Sequence, residues 1–307
     1  MKATSKQFAI ILGIISALFF AITFVLNRYM SVQGGHWVWS ASLRYFWTAL
    51  LLFFLVFFSN GLKQALISMK KNLIQWLLWS TIGFGLFYAP LTFASAFGPS
   101  WLIAGTWQIT ILAGMIVSPL LQKNSSGKPI PFQTFIFSLI ILLGVIMMHA
   151  DHSKTVKFKE FFFGFFPVLI AAFAYPLGNR KMMSITNGEL NALQRTFGMT
   201  LASMPFWIIL SLTGISFEIM PNISQVHATF WVAICSGVIA TVLFFKATDK
   251  VQRNSKALAA VEATQSTEVI FALTGELLIL NAGFPGDLAL IGVFFVLIGM
   301  ILHSIKK

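Results

Sequence analysis

Apolar runs of about 18 residues or more, the length that carries an α-helix across roughly 30 Å of hydrocarbon, recur from one end of this sequence to the other. They begin with "FAIILGIISALFFAITFVL" and end with "LALIGVFFVLIGMIL", and the segments between them are short and rich in Lys, Asn, Gly and Ser. No stretch between them is long enough for a soluble domain. A backbone passing through lipid must satisfy its own N–H and C=O groups, so segments of this kind become helices. The fold class that follows is an all-α polytopic membrane protein. Composition agrees: 57% of the 307 residues are hydrophobic and only 10% are charged.

The periodic segments predict ten transmembrane helices, near 7–27, 38–58, 73–95, 98–121, 132–149, 160–179, 193–213, 228–247, 257–280 and 288–305. Basic residues are retained on the cytoplasmic side, and alternate connections differ sharply in Lys and Arg content. Lys2, Lys6, Lys63, Lys70, Lys71, Lys123, Lys128, Arg180, Lys181, Lys246, Lys250, Arg253, Lys256, Lys306 and Lys307 fall on one side; Arg28, Lys154, Lys157 and Lys159 fall on the other. Both termini are therefore expected in the cytoplasm, in a multi-pass protein of the plasma or inner membrane. The formal charge of +12 then lies mostly along an anionic inner leaflet, which gives no reason to expect nucleic acid as a partner.

The chain also repeats itself. "FVLNRYM" at 24–30 matches "PLGNRKM" at 176–182, placing Asn27-Arg28 against Asn179-Arg180 at an offset of 152, and "RYFWTAL" at 44–50 matches "RTFGMTL" at 195–201 at an offset of 151. The expected organisation is a first five-helix repeat over 1–150 and a second over 151–307. Five is odd, so the second repeat enters the membrane from the opposite face. Inverted repeats let a transporter rock between two related states around a site at mid-depth.

The Arg-led second helix "SLRYFWTALLL", its echo in the seventh, and the ending "GELLILNAGFPGDLALIGVFFVLIGMIL" resemble the ten-helix branch of the drug/metabolite transporter superfamily, with EamA-like paired repeats. Within it the chain is most similar to the multidrug resistance efflux transporters. The resemblance covers nearly the whole chain and implies export of small organic solutes, coupled to a proton or exchanged solute. One departure is Val269, which stands where many relatives carry Pro directly after the position of Glu268.

The residues themselves direct attention to the ninth segment, which holds Glu262, Glu268 and Glu276, three of the nine acids in the protein. At about 100° per residue, Gln265, Glu268 and Glu276 fall within about 120° of Glu262. This makes one polar stripe on an apolar rod. Lipid cannot hydrate it, so the stripe is expected to face the bundle interior or water. Glu268 falls near mid-depth, with Glu262 and Glu276 roughly 9–12 Å to either side. A carboxyl there must be protonated or paired, which suits it to exchange a proton for a solute; the alternative is a structural glutamate bonded to a neighbouring helix.

Gln108 and Trp107 in the fourth segment, the repeat partner of the ninth, join Glu268 as candidates for substrate binding or coupling. Gln108 either holds a solute or ties helices together. Tyr88 and Tyr175 are placed deep enough to offer aromatic faces to a cation, or simply to pack. Arg44 and Arg195 sit a turn or two inside their helices. Either they snorkel to water, or they close gates, Arg44 on Glu276 and Arg195 on Glu262. The Gly-rich third segment, "TIGFGLFYAP", favours close packing of a neighbour.

No HExxH pair, GxSxG turn or ATP-binding P-loop occurs, and the single Cys235 has no partner, so an ATP-driven pump and a metal or other cofactor are not expected. The acids are spread along one helix rather than gathered at one membrane face, and a receptor usually carries a soluble output domain, so a membrane-embedded enzyme or receptor is not expected either. The reading that remains is a secondary active transporter, a proton-coupled antiporter of multidrug-efflux type, exporting small hydrophobic or cationic compounds by alternating access. A metabolite exporter for amino-acid-like or nucleotide-like solutes is the other transport reading. The partners expected are a small-molecule substrate, a proton or other coupling ion, and the lipid bilayer.

Overall fold

A computed structural model describes residues 3–121, 132–153, 157–251 and 254–305. Several basic residues that set the expected orientation, Lys2, Lys123, Lys128, Lys154, Arg253, Lys306 and Lys307, lie outside the described residues. Helices α1 (Ala3–Val32), α2 (Trp37–Phe58), α3 (Leu62–Lys71), α4 (Leu73–Ser80), α5 (Leu86–Ala94), α6 (Ser100–Trp107), α7 (Ile109–Leu121) and α8 (Phe132–His152) are followed by α9 (Phe158–Thr186) and α10 (Ala192–Ala202). Then come α11 (Met204–Ser216), α12 (Ile223–Val232), α13 (Thr241–Val251), α14 (Ser255–Ala263), α15 (Thr267–Ile279) and α16 (Asp287–Ile305). Among the described residues there is no strand.

Among the described residues, six helical segments are long and apolar enough to cross a membrane, and α10 with α11, bent by 43°, makes a seventh if the pair is one span. Two shorter apolar stretches, Ile136–His152 and Asp287–Leu302, run beside them. Apolar side chains that face outward, such as Phe53, Phe57, Ile146, Ile209 and Phe294, give the bundle the greasy exterior that lipid requires.

Besides the bent α10–α11 pair, four expected segments are interrupted, three of them for a plain local reason. The third carries a π-helical turn at Thr81–Gly85 between α4 and α5, where Gly83 lets the backbone of α9 approach at Gly178. The fourth breaks at Gln108, whose amide bonds the carbonyl three residues back, Gly105 O, at 3.1 Å. The ninth passes through a 3₁₀ turn at Thr264–Ser266, where the hydroxyls of Thr264, Ser266 and Thr267 each bond the carbonyl three residues earlier. Hydroxyl groups that compete for helix carbonyls in this way bend helices, so the turn forms without a proline. The eighth segment has its own π stretch, Ala233–Ala240. The two π stretches begin 152 residues apart, at Thr81 and Ala233.

Residues 62–71, which the sequence suggests are a polar connection, form helix α3. Ala65, Ser68 and Met69 face the protein while Lys63, Lys70 and Lys71 face out, the spacing of an amphipathic helix. The central elements are α1 and α9. Helix α1 packs on α13, α15 and the π stretch at 233–240, all in the second half of the chain; α9 packs on α4, α5, α6, α7 and the π turn at 81–85, all in the first.

Candidate functional site

Glu268 projects from the first turn of α15 into the protein and is 1% exposed. It does not face lipid. Among the described residues its Oε2 has no hydrogen-bond partner. The other two acids of the stripe have different surroundings. Glu276 is also buried, and it accepts hydrogen bonds from both the backbone N–H and the hydroxyl of Ser100, so its carboxylate caps the N-terminus of α6. Glu262 is partly exposed and pairs with Arg180 at 3.7 Å.

The two glutamines meet where their segments break. Gln108 Nε2 donates to the Gln265 carbonyl at 3.3 Å and to Ala104 O at 3.0 Å, which ties the fourth segment to the ninth. Gln108 Oε1 and Gln265 Nε2 remain without partners although both residues are buried. Trp107 packs with Phe87 and Tyr175 in a three-ring cluster with centroids 4.8–5.5 Å apart.

The gate pairings expected for the arginines do not occur. Arg195, 5% exposed, bonds Asp249 at 3.1 Å, with its guanidinium over the Phe245 ring. Arg44, 3% exposed, donates from Nη2 to Ser236 Oγ at 3.1 Å, and its Cζ lies 3.9 Å from the Tyr88 ring centre and 4.7 Å from that of Tyr45. Neither arginine snorkels, because neighbouring helices cover the stem and head alike. Tyr88 is held in place by its hydroxyl, which donates to Asn27 Oδ1 at 3.2 Å.

Beside Arg44 lies a cavity of about 10 Å³, the room of one water molecule, walled by Tyr45, Thr48, Phe84, Phe87, Tyr175 and Thr200 among others. Tyr175 is thus the one expected site residue other than Arg44 that reaches this cavity; Glu268 does not line it.

Arg28 and Arg180, which the sequence marks only as repeat landmarks, are structural anchors. Arg28 Nη1 donates to Ser95 O at 3.4 Å and Ala96 O at 3.1 Å, at the end of α5, while Glu276 holds the beginning of α6. The tight turn between these helices is therefore fastened on both sides by charge. Arg180 binds Gly114 O in α7 and Glu262 in α14, joining three segments elsewhere in the bundle. The shared Asn-Arg pair at 27–28 and 179–180 was the available signal.

The sequence model of the EmrE family, described as "Putative multidrug resistance efflux transporter", matches residues 7–307. The chain belongs to the EmrE-like efflux transporter family. It is a multi-pass membrane protein of transporter type. A Bacillus subtilis (strain 168) protein described as "Uncharacterized protein YjlA" is 48% identical over 304 residues, 96% of this chain and 94% of its own length. A 42.1 kDa protein of Shouchella clausii, described as lying in an intracellular alkaline protease 3′ region, is 43% identical over 265 residues, 85% of this chain and 70% of that one. A crystal structure whose description names no activity superposes with TM-score 0.67 over 96% of this chain and 95% of its own, at 12% identity, a likeness of fold alone.

Proposed function

We propose that this transporter is a secondary active exporter of small organic solutes, built as two inverted five-helix halves and coupled to protons through Glu268. The observation that carries the reading is Glu268 itself, a carboxyl buried between helices with Oε2 unpartnered. An ionised carboxylate in such a place needs a counter-charge or donors. Taking up and releasing a proton is how this group meets that demand as water reaches it from one side and then the other. The family assignment supports export, and the exchange of contacts between α1 and α9 with opposite halves supports the inverted arrangement.

The sequence leaves two solute classes open, small hydrophobic or cationic compounds and amino-acid-like or nucleotide-like metabolites. A cation site would place an acid on the cavity wall, whereas the charged group on that wall is Arg44. This observation favours the metabolite class.

The test is purified protein in liposomes with an imposed pH gradient and a panel of lipophilic cations, amino acids and aromatic carboxylates. Gradient-driven transport is expected for the wild type and a loss of at least tenfold for Glu268→Gln. Transport that survives the substitution at full rate removes Glu268 from the coupling step.

A further inference from the structure

We infer that Arg44 is the docking group for a solute carboxylate, so that the transported compound is a small organic anion, or a zwitterion, with an apolar body. The inference rests on the transporter reading and assigns its substrate class.

Glu268 and Arg44, both buried with unpartnered polar atoms, differ in how each can be satisfied. A buried carboxyl such as Glu268 can meet its need by holding a proton. A guanidinium cannot lose one inside a protein, so Arg44 remains a cation wherever it is placed. Burying that charge is costly unless an anion or several acceptors surround it. Arg44 has two neutral hydroxyls as acceptors, Ser236 Oγ and that of Tyr45, and two tyrosine faces, which offset part of the cost. Among the described residues its Nε and Nη1 have no partner and no acid pairs with it. The contrast with Arg195 is instructive: the equivalent position in the second repeat has its carboxylate, Asp249, within the chain.

The polar groups of the cavity wall suit an anion. The Arg44 nitrogens are hydrogen-bond donors, and Thr200, whose hydroxyl is buried and unpartnered, adds another. The hydroxyls of Thr48 and Thr241 already donate to backbone carbonyls, so the protons left for a solute carboxylate are those of Arg44 and Thr200. Phe20, Phe84, Phe87 and Tyr175 give the remaining wall an aromatic character suited to an apolar body. In this closed arrangement there is room for about one water, so the solute body enters as the helices separate and the carboxylate takes the position beside Arg44. The π stretch at 233–240 supplies both Ser236 and Gly237 to the site, and segments of this type recur where helices deform around ligands.

The test is equilibrium binding, without any gradient, followed by thermal stabilisation of detergent-purified protein at fixed ionic strength. The probes are benzoate and indole-3-acetate, their neutral amides, benzylammonium, tetraphenylphosphonium and sodium chloride. The carboxylates are expected to stabilise saturably, the amides and cations not to. Arg44→Gln should abolish the effect, and Arg44→Lys, which keeps charge but loses the planar fork, should weaken it at least tenfold. Thr200→Val serves where the Arg44 variants do not fold, with a several-fold loss for carboxylates alone.

Stabilisation by amides or cations equal to that by carboxylates overturns the inference, as does saturation by chloride alone, or carboxylate binding that persists in Arg44→Gln. Because the wild-type panel is decisive by itself, failure here leaves gradient-driven transport of another solute class, and the role of Glu268, untouched.

Discussion

Four charged side chains show how far a residue's surroundings, rather than its type, fix what it does. Glu268 and Glu276 are eight positions apart on α15 and both are buried, yet one has an unpartnered oxygen and the other receives two donors from Ser100. Removing the second carboxylate strands the Ser100 amide at the start of α6 and uncaps that helix. Glu276→Ala should cost about 1.5–3 kcal/mol, the range for a hydrogen bond to a charged partner, read as a lower unfolding temperature in detergent; Glu276→Gln, which still accepts, should cost less. An unchanged temperature for the alanine variant would show that the cap is not stabilising. The inward turn of Glu268 and Glu276 was legible from their place on one helical stripe, whereas Glu262, paired with Arg180, is partly exposed. The sequence did not reveal the partners of Arg44 and Arg195. A long stem a turn inside a helix can reach water or a neighbour, and the choice depends on which side chains cover it, Tyr45 and Tyr88 in one case and Phe245 in the other.

At the scale of elements, the existence of the apolar segments was legible and their interruptions were not. Hydropathy over a window sums side chains and is blind to the hydrogen-bond pattern of the backbone, so the π stretches and the 3₁₀ turn leave no trace in it. Their local chemistry was nonetheless on view: Gly83 and Gly85 in one case, and the hydroxyls of Thr264, Ser266 and Thr267 in the other. At the Gly83–Gly178 crossing the π turn and α9 meet backbone to backbone. A Cβ at Gly178 would run into Gly83 Cα and N, which have no side chain to move aside. One at Gly105 would meet the terminal methyl and sulfur of Met148, a flexible side chain. Gly178→Ala is therefore expected to destabilise by about 1–3 kcal/mol, the usual cost of overpacking, and Gly105→Ala by clearly less. Parallel thermal unfolding of the two variants checks this, and equal losses would mean that α9 can withdraw from the π turn.

For the whole molecule, the decisive property is the number of crossings, since the proposed rocking requires the halves to be inserted in opposite senses. The chain from Lys71 to Gly283 contains the segments from α4 to α15. If each of the seven expected segments crosses, these two positions are on opposite sides of the membrane; if one of them, such as the bent α10–α11 pair, merely dips in and returns, they share a side. Both positions tolerate a reporter. A Cβ at Gly283 meets nothing within 4 Å, and Lys71 forms only an exposed pair with Glu189 at 3.9 Å, of the kind worth little in water. With Cys235 replaced by serine, Gly283→Cys should react with a membrane-impermeant maleimide in intact cells, and Lys71→Cys only in inverted vesicles. Labelling of both from the same face would leave the Asn27-Arg28 and Asn179-Arg180 anchors as a sequence coincidence and remove the symmetry on which alternating access around Arg44 and Glu268 depends.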